Sequence, residues 1–315
     1  MPAQARLITR GPFHLQATVR VLQRRPVNRV DVWDGSRYLR VLPVGNGHVL
    51  AAVMNRGTVN RPDLDFALLA GDPRAAWRGT DRQLRLIGEC LRAILGLDVD
   101  PAPLHRAALS ESGLLQVATI LRGMRPPCFA DFFETFLNVI PFQQLSLDAG
   151  VAIIGRLVER FGRTLEYRGR RFHASPDSDT IAAARPAALR ACGLSTRKAD
   201  SLRAIARAIA SGTLDAGQID GVPTEEALRR LMQLSGIGPW SAALVLLRGF
   251  RRLDVFPPGD VGAKRSLDAL LPPEHGALLE RIRRFGDLKG YLYFLALGGS
   301  LSRMGLIDPA GNDPA

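Results

Sequence analysis

The spacing of apolar positions changes along this chain, from about two residues in much of the amino-terminal region to between three and four in most of the rest. Near the amino terminus, polar residues alternate with Leu15, Ala17, Val19 and Val21. Such alternation predicts a half-buried strand. Further β-like runs lie at 30–33, 38–44 and 49–54, with the turn signals Asp34-Gly35 and Asn46-Gly47 between them. We therefore predict a small antiparallel sheet in this region.

A helical pattern follows the predicted sheet. Apolar residues recur at helical spacing at Leu84, Ile87, Leu91 and Ile94, which predicts a helix from about 81 to 95. The segment 98–105 contains Pro101 and Pro103 and predicts a linker.

From about residue 104 onward the period is helical almost throughout. The later helices are predicted at 186–192, 196–211, 224–234, 239–249, 261–270, 275–285 and 289–302. The predicted fold class is α+β. A small α/β domain with an antiparallel sheet spans 1–105, an all-α domain spans 106–306, and a flexible tail spans 307–315.

Charge adds information about the partner. The 315 residues carry 42 Lys+Arg and 30 Asp+Glu, a formal net charge of +12. Three of the cations are Lys, so 42 − 3 = 39 are Arg. A genome that favours Arg codons accounts for that ratio but not for the sign of the net charge. The excess indicates an anionic partner, nucleic acid first and a membrane surface second.

Other classes of protein are excluded by what the sequence lacks. The sequence contains no run of about 18 apolar residues, so no membrane span is predicted. Residues 1–14 lack the apolar core of a secretory signal. We therefore expect a cytoplasmic protein with no membrane partner. Cys90, Cys128 and Cys192 are far apart, which excludes a disulfide framework, a zinc ribbon and an iron–sulfur cluster. The five His residues form no pair at metal-ligand spacing.

The segment 231–250 carries the most chemical information. Thr224 is positioned to cap a helix that ends near residue 234, the Gly236-Ile237-Gly238 run predicts a tight turn, and Pro239 suits the first position of a second helix. The N–H groups of such a turn and helix start bind an anion, for which a DNA phosphate is suitable. A plain helical hairpin with a glycine turn is the alternative interpretation.

Asp260 follows the hairpin at a distance of twenty residues from Trp240 and precedes a predicted helix that starts near Val261. Most Asp residues in this position cap the helix. Capping also holds a carboxylate fixed and ionised, so it is compatible with a catalytic role.

Together these motifs resemble a known family. The run L-x-x-L-x-G-I-G-P-W-S-A at 231–242, followed by L-R-G and D-V-F-P-P-G-D, resembles the helix-hairpin-helix base-excision DNA glycosylase superfamily. Within it, the 3-methyladenine DNA glycosylase II (AlkA) family is the most similar type. The segments 142–146 and 193–199 and the amino-terminal domain are also similar to that family, so the resemblance spans most of 10–305.

The resemblance implies that Asp260 is the essential carboxylate, which stabilises an oxocarbenium-like sugar. At the position of Trp240, bifunctional relatives carry a Lys that forms a Schiff base with the sugar. A Trp there implies a monofunctional enzyme and offers a face for stacking on an extruded base, although a core Trp is the alternative. Residues that match other base-pocket positions are Leu244, Val261 and roughly Leu297. This pocket is less aromatic than the family's usual one.

The resemblance also implies DNA contacts. Gln144 corresponds to a residue that wedges into the gap left by the flipped nucleotide, beside the family's Gln at Gln143. The alternative is that both residues cap helix ends or bridge between helices. Gly236, Ile237 and Gly238 are expected at a phosphate. The resemblance alone implies a monovalent cation on the backbone carbonyls of Met232, Leu234 and Ile237. Arg248 is a further candidate for the DNA backbone, with a solvated basic face as the alternative.

The resulting prediction is a monofunctional DNA glycosylase that removes alkylated purines, of the 3-methyladenine and 7-methylguanine type, from double-stranded DNA. Apart from that monovalent cation, no cofactor is expected. We expect a monomer associated with the bacterial nucleoid. The alternatives are a glycosylase for a deaminated or oxidised base and a non-catalytic hairpin protein that binds DNA.

Overall fold

The computed structural model describes residues 3–72, 80–271 and 277–309. Within these ranges the strands are β1 Gln4–Leu7, β2 Val32–Trp33, β3 Arg37–Val44, β4 Gly47–Asn55, β5 Leu64–Gly71, β6 Thr164–Tyr167 and β7 Arg170–His173. The helices are α1 Leu15–Gln23, α2 Asp81–Leu95, α3 Pro101–Leu109, α4 Leu115–Ile120, α5 Phe132–Leu137, α6 Leu147–Phe161, α7 Ser178–Ala183, α8 Pro186–Ala191, α9 Thr196–Ala210, α10 Ala216–Asp220, α11 Thr224–Met232, α12 Pro239–Gly249, α13 Val261–Leu270, α14 Leu278–Arg284 and α15 Tyr291–Arg303. The start of the predicted helix 275–285 and the predicted tail from 310 onward lie outside the described residues.

The first five strands form one antiparallel sheet in the order β1-β5-β4-β3-β2. The three predicted runs correspond to β2, β3 and β4, and the two predicted turn signals lie at their connections. The register of β3 and β4 runs from Arg37 opposite Met54 to Val44 opposite Gly47, which leaves Gly45-Asn46 as a two-residue turn. Gly45 has a φ of +56° there, a conformation that favours glycine. The strands β1 and β5 were not predicted.

The strand predicted at residues 15–21 is wrong, because this segment is helix α1. Its apolar residues contact two different cores. Ala17 and Val21, four positions apart, join the core of the helical region. Leu15, Val19 and Leu22 join the core between the sheet and α2. The helix thus has two apolar faces, each with helical spacing. Their residues fall at alternate positions in the sequence, which gives the pattern of a strand.

The linker predicted at residues 98–105 is also wrong, because most of it belongs to helix α3. Asp100 caps this helix, and its Oδ1 accepts the N–H of Ala102 at 3.0 Å. Pro101 occupies the first helical position, where the N–H that proline lacks has no partner within a helix.

The remainder of the chain is mainly helical, as predicted, with one exception. The strands β6 and β7 form an antiparallel hairpin in the region predicted to be all-α. Its Leu165 and Phe172 pack on Leu39, Val41 and Leu50 of the sheet. The hairpin thus covers one face of the sheet while α1 and α2 contribute to the core on the other, and β3 and β4 are buried along most of their length.

A buried ionic cluster joins the sheet to the helical region. Arg40 of β3 donates to Asp31 at 2.5 Å and to Glu134 of α5. The hydroxyl of Tyr38 donates to the same Asp31 carboxylate at 2.7 Å. All four side chains are at most 3% exposed. Within the described ranges, no helix has the length and apolar content needed to cross a bilayer.

Candidate active site

The predicted hairpin consists of α11, a turn over 233–238, and α12. Pro239 occupies the first position of α12, as predicted, with Gly238 as the N-cap residue. The predicted cap at Thr224 is wrong. Thr224 is the first residue inside α11 and makes no cap hydrogen bond. Its Oγ1 instead lies 3.3 Å from Arg252, which donates to it.

The two glycines of the turn have different structural requirements. Gly236 has a φ of +82°, and a Cβ added there would lie 2.2 Å from the Oγ of Ser201. The fold itself therefore requires glycine at this position. Gly238 has an extended backbone with a φ of −97°, and a Cβ added there would have no described atom within 4 Å. No steric contact in the described structure requires glycine at 238. Glycine is among the residues favoured at an N-cap, and its lack of a Cβ also leaves room for a partner to approach.

Asp260 caps α13, and both of its carboxylate oxygens are engaged. Oδ1 accepts the backbone N–H of Ala263 at 2.8 Å, the predicted cap. Oδ2 accepts the indole Nε1–H of Trp240 at 2.9 Å. The carboxylate is half-buried. A cap and a side-chain donor thus fix the orientation of this group next to the start of α12.

Trp240 is half-buried at the start of α12 and contacts two groups of apolar residues. One group is the main helical core. The other contains Phe142, Val151 and Ile154. The sequence predicted a stacking or core role for the ring but not the indole hydrogen bond to Asp260.

The other predicted pocket residues have contrasting environments. Leu244, one turn after Trp240, is only 3% exposed and belongs to the main core. Val261 is 68% exposed beside the Asp260 cap. Leu297 packs against the main core and is partly exposed.

The loop that contains Gln143 and Gln144 is tied to the hairpin. The Nε2 of Gln143 donates to the carbonyl of Gly236 at 2.8 Å and to the Oγ of Ser241 at 2.9 Å. Lys198 braces the same loop, with its Nζ donating to the carbonyls of Pro141 at 3.0 Å and Gln143 at 2.7 Å. No role for Lys198 was predicted, although it is one of only three lysines in the chain.

Gln144 is exposed and has a φ of +56°. A non-glycine residue in this region is conformationally unfavourable, and such residues cluster at functional sites. The loop therefore holds Gln143 against the protein and turns Gln144 outward.

The assignment of Arg248 to the DNA backbone is wrong. Its side chain is 0% exposed, and its guanidinium lies 4.8 Å from the ring of Phe129 and 5.4 Å from that of Phe294. A side chain enclosed in this way reaches neither a phosphate nor solvent.

The resemblance assigns a cation to three backbone carbonyls, and the structure shows their partners. Leu234 O accepts the N–H of Ile237 at 3.0 Å, while among the described residues no turn or loop N–H donates to the carbonyls of Met232 and Ile237. Met232 is the last residue of α11, where helix carbonyls lack partners and the helix dipole is negative. Two oxygens without such a donor are compatible with the donor set of a monovalent cation, and the cation itself stays a prediction.

Comparison with known proteins shows which family the region around the hairpin resembles. A model of the HhH-GPD superfamily of base excision DNA repair proteins matches residues 137–277, a range that includes Gln143, the hairpin and Asp260. This part of the chain is therefore similar to the HhH-GPD superfamily.

Two curated proteins are similar to this chain over different lengths. The chain is 29% identical over 279 residues to DNA-3-methyladenine glycosylase 2 of Escherichia coli K12, covering 88% of this chain and 89% of the relative. It is 30% identical over 174 residues to the DNA-3-methyladenine glycosylase of Bacillus subtilis 168, covering 55% of this chain and 57% of the relative. The matched region thus spans little more than half the length of the Bacillus protein.

The fold is also that of a solved glycosylase structure. The 3-methyladenine DNA-glycosylase from Archaeoglobus fulgidus superposes with a TM-score of 0.74 at 24% identity, over 96% of this chain and 98% of that chain. This likeness confirms the predicted fold class, a small antiparallel sheet followed by a mainly helical region.

Proposed function

We propose that this protein is a monofunctional DNA glycosylase of the HhH-GPD superfamily that removes alkylated purines, such as 3-methyladenine and 7-methylguanine, from duplex DNA. The observation that carries the proposal is the Asp260 carboxylate, held by Ala263 and Trp240 next to the glycine turn. A module that only binds DNA would use Asp260 as a helix cap, but it has no use for the second carboxylate oxygen that Trp240 orients. The names of the relatives from E. coli and B. subtilis support the same substrate class.

The hairpin binds the DNA backbone. The N–H groups at the start of α12 point out of the helix, where they attract a phosphate. Gly238 lets that phosphate approach closely, because no Cβ stands in the way. The carbonyls of Met232, Leu234 and Ile237 would hold a monovalent cation, which supplies positive charge beside the same phosphate.

The target base leaves the duplex before it reacts. Extrusion costs a few kcal/mol, because stacking and pairing are lost. Gln144, turned outward from a loop braced by Gln143 and Lys198, fills the gap that the nucleotide leaves. A wedge of this kind also bends the duplex.

Asp260 supports the cleavage itself. As the N-glycosidic bond breaks, positive charge develops on the sugar, and a fixed anion nearby stabilises that charge. The same carboxylate accepts a proton from the attacking water. Trp240 stands next to this carboxylate and has no amine that forms a Schiff base with the sugar. The product is therefore an abasic site in an intact strand.

The first experiment uses duplex DNA methylated with dimethyl sulfate. Wild type should release 3-methyladenine, and strand breaks should appear only after alkali. Asp260→Asn should release at least about 100-fold less base. Because Asn also caps helices, this variant should keep its stability and its DNA affinity. Wild-type protein that binds DNA but releases no methylated base would contradict the proposal.

DNA binding has its own test. Contacts to phosphates make the logarithm of the affinity fall linearly with the logarithm of the salt concentration. We expect this dependence, together with weaker binding to single strands. Salt-independent binding, or equal affinity for single and double strands, would count against the role proposed for the hairpin.

A further inference from the structure

An open cavity of about 600 Å³ lies where the β6–β7 hairpin meets the C-terminal part of α6 and the segment that follows α1. Every described residue that lines it is polar or charged: Arg29, Glu159, Thr164, Arg170, Arg171 and His173. Three guanidiniums and one carboxylate therefore share this space. Neither Asp260 nor Trp240 lines the cavity, so it is separate from the candidate active site.

The alternation of side chains along the hairpin explains why polar groups collect in the cavity. Leu165 and Phe172 lie opposite each other and pack on the five-stranded sheet. Because successive side chains of a strand point to opposite faces, their neighbours Thr164, Arg171 and His173 point away from that sheet. The strand pairing thus presents a hydroxyl, a guanidinium and an imidazole to the cavity.

Arg29 is brought to the cavity by a segment that runs beside α6. The Oδ1 of Asn28 accepts the N–H of Val30 at 2.8 Å, and Val30 is buried in the apolar group that contains Val158 of α6. The guanidinium of Arg29 lies 3.0 Å from the Glu159 carboxylate of the same helix. Its side chain is still 55% exposed, so the ion pair leaves this guanidinium accessible to a further acceptor.

The cations of the cavity outnumber its anions. In the part of the chain that the structure describes, Arg170 and Arg171 form no ion pair, and Glu159 pairs with Arg29 alone. Burial lowers the pKa of His173, and the charges of Arg29 and Arg171 add to that shift while Glu159 opposes it. With a neutral imidazole, the lining carries a net charge of 3 − 1 = +2.

The positive charge extends beyond the cavity. Residues 159–173 contain five Arg and two Glu, a net charge of 5 − 2 = +3, which is a quarter of the chain's +12. Arg160, Arg163 and Arg168 of this segment are exposed outside the cavity. A small anion would use only the cations inside the cavity, whereas a polyanion would also use those around it. The extent of the charge therefore favours the backbone of a nucleic acid.

Helix α6 connects the loop that carries Gln144 to the cavity. It begins at Leu147, and Glu159 lies twelve residues further along, at a rise of about 18 Å. Each base pair of B-DNA adds about 3.4 Å to the length of the duplex. The distance along α6 therefore corresponds to about five base pairs.

We propose that the cavity and the exposed arginines around it bind backbone phosphates of the duplex that flanks the target base, about five base pairs from the extruded nucleotide. This inference rests on the proposed glycosylase function, because Gln144 marks the position of that nucleotide. The forked guanidiniums of Arg170 and Arg171 match the geometry of phosphate oxygens. Phosphate contacts do not depend on base sequence, so the surface strengthens binding to any duplex.

The test measures binding by fluorescence anisotropy to a duplex with a tetrahydrofuran abasic-site analogue and about ten base pairs, one helical turn, on each side. We expect Arg170→Gln combined with Arg171→Gln to lower the affinity at least about fivefold. The slope of log affinity against log salt should become shallower by about 1.8, since each phosphate contact contributes about 0.9. Glu159→Gln removes a competing carboxylate and should tighten binding about two- to threefold.

Arg82 and Arg85 provide a matched control. Both are exposed arginines of α2, whose core lies on the opposite face of the sheet from the β6–β7 hairpin. Arg82→Gln combined with Arg85→Gln removes the same total charge and should leave the affinity within about twofold of wild type. Arg170→Lys combined with Arg171→Lys keeps the charge in place and should retain most of the affinity.

Shortened duplexes locate the contact. One keeps about three base pairs on the 5′ side of the abasic analogue and the other about three on the 3′ side, so a contact five base pairs away is lost from one of them only. That truncation should weaken wild type at least about fivefold. It should weaken the Arg170→Gln, Arg171→Gln variant less than about twofold, because two changes that remove one contact are not additive.

Three results would overturn the proposal. They are equal losses of affinity in the two glutamine variants, wild-type affinity and salt slope in the Arg170→Gln, Arg171→Gln variant, and equal sensitivity of that variant and wild type to both truncations. In the second case, a melting temperature that inorganic phosphate raises for wild type alone would assign the cavity to a small anion instead. Failure of the proposed function is distinguishable, because wild type would then release no base from methylated DNA, whatever the two arginines contribute to binding.

Discussion

The indole Nε1–H of Trp240 donates a 2.9 Å hydrogen bond to Oδ2 of Asp260, twenty residues further along the chain. One residue opens the second helix of the hairpin, and the other caps the helix that follows. The hydrogen bond therefore couples the proposed DNA-binding turn to the proposed catalytic carboxylate. A movement of the hairpin on DNA binding would be transmitted directly to the orientation of Asp260.

Trp240→Phe removes this donor and keeps an aromatic ring. We expect base release to fall by about 10- to 100-fold, since the carboxylate loses one of the two groups that orient it. DNA affinity should stay within about threefold of wild type, because the hairpin backbone is unchanged. Single-turnover base release and fluorescence anisotropy measure the two effects. If Trp240→Phe matched wild type in rate, the indole hydrogen bond would have no part in orienting Asp260.

A second prediction concerns the two glycines of the turn. Gly238→Ala should lower the free energy of unfolding by no more than about 1 kcal/mol, because the added methyl meets open space and only the weaker N-cap preference of alanine opposes it. Its DNA affinity should fall about tenfold, because the methyl blocks close approach of a phosphate.

Gly236→Ala is the contrasting variant. A φ of +82° and the clash with Ser201 should destabilise the fold by about 1–3 kcal/mol. Urea unfolding and DNA titrations on both variants separate the two effects. Unchanged DNA binding by Gly238→Ala would mean that no phosphate comes close to this residue.

Variants of Gln143 and Gln144 should separate an effect on the stability of the fold from an effect on base extrusion. Gln143→Leu leaves the Gly236 carbonyl and the Ser241 hydroxyl without their partner and should cost about 1–3 kcal/mol. Gln144→Gly should be neutral or stabilising by up to about 1 kcal/mol, since glycine adopts a φ of +56° more easily. Relative to wild type, the same variant should slow base release more at a paired site than at a mismatched one, where extrusion is easier. Equal slowing at both sites would argue against a wedge.

Local signals predicted the site better than the periodicity predicted the fold. Pro239 at a helix start and Asp260 at a helix cap depend on adjacent residues, and both are where the sequence placed them. Helix α1 was misassigned because its two apolar stripes face two different cores, and the period of a single stripe is then hidden. Arg248 was misassigned because an arginine next to a hairpin suggests DNA, whereas its burial depends on the distant Phe129 and Phe294.

The contacts that no local signal reveals connect distant parts of the chain. Gln143 reaches Gly236 over 93 residues, and Arg40 reaches Glu134 over 94. Such contacts depend on how the helices pack, which composition and spacing do not determine.

The buried cluster around Arg40 should be important for stability. Arg40→Met leaves the carboxylates of Asp31 and Glu134 buried without their cation, which should cost about 3–5 kcal/mol. Adding Asp31→Asn and Glu134→Gln removes the unpaired charges and should recover part of that loss. Urea unfolding of the single and triple variants measures both. A loss below about 1 kcal/mol in Arg40→Met would indicate that water or a local rearrangement replaces the arginine.

His14 should make stability depend on pH. Its Nδ1 accepts the N–H of Ala17 at 3.3 Å, so Nε2 carries the proton and donates to the Asp308 carbonyl at 3.0 Å. Burial lowers the pKa of His14 below 6.5, and Asp308 only partly opposes this shift. Between the lowered pKa and 6.5 the folded protein binds fewer protons than the unfolded chain, so stability is lost as the pH falls through this window.

His14→Asn isolates this contribution to the pH dependence. Asn caps helices well and does not titrate, so the helix start is preserved. The melting temperature of wild type should fall more than that of the variant between pH 7.5 and pH 5. The comparison with the variant is needed because burial also lowers the pKa of His48, His105 and His173. Parallel curves for the two proteins would show that protonation of His14 does not break its cap.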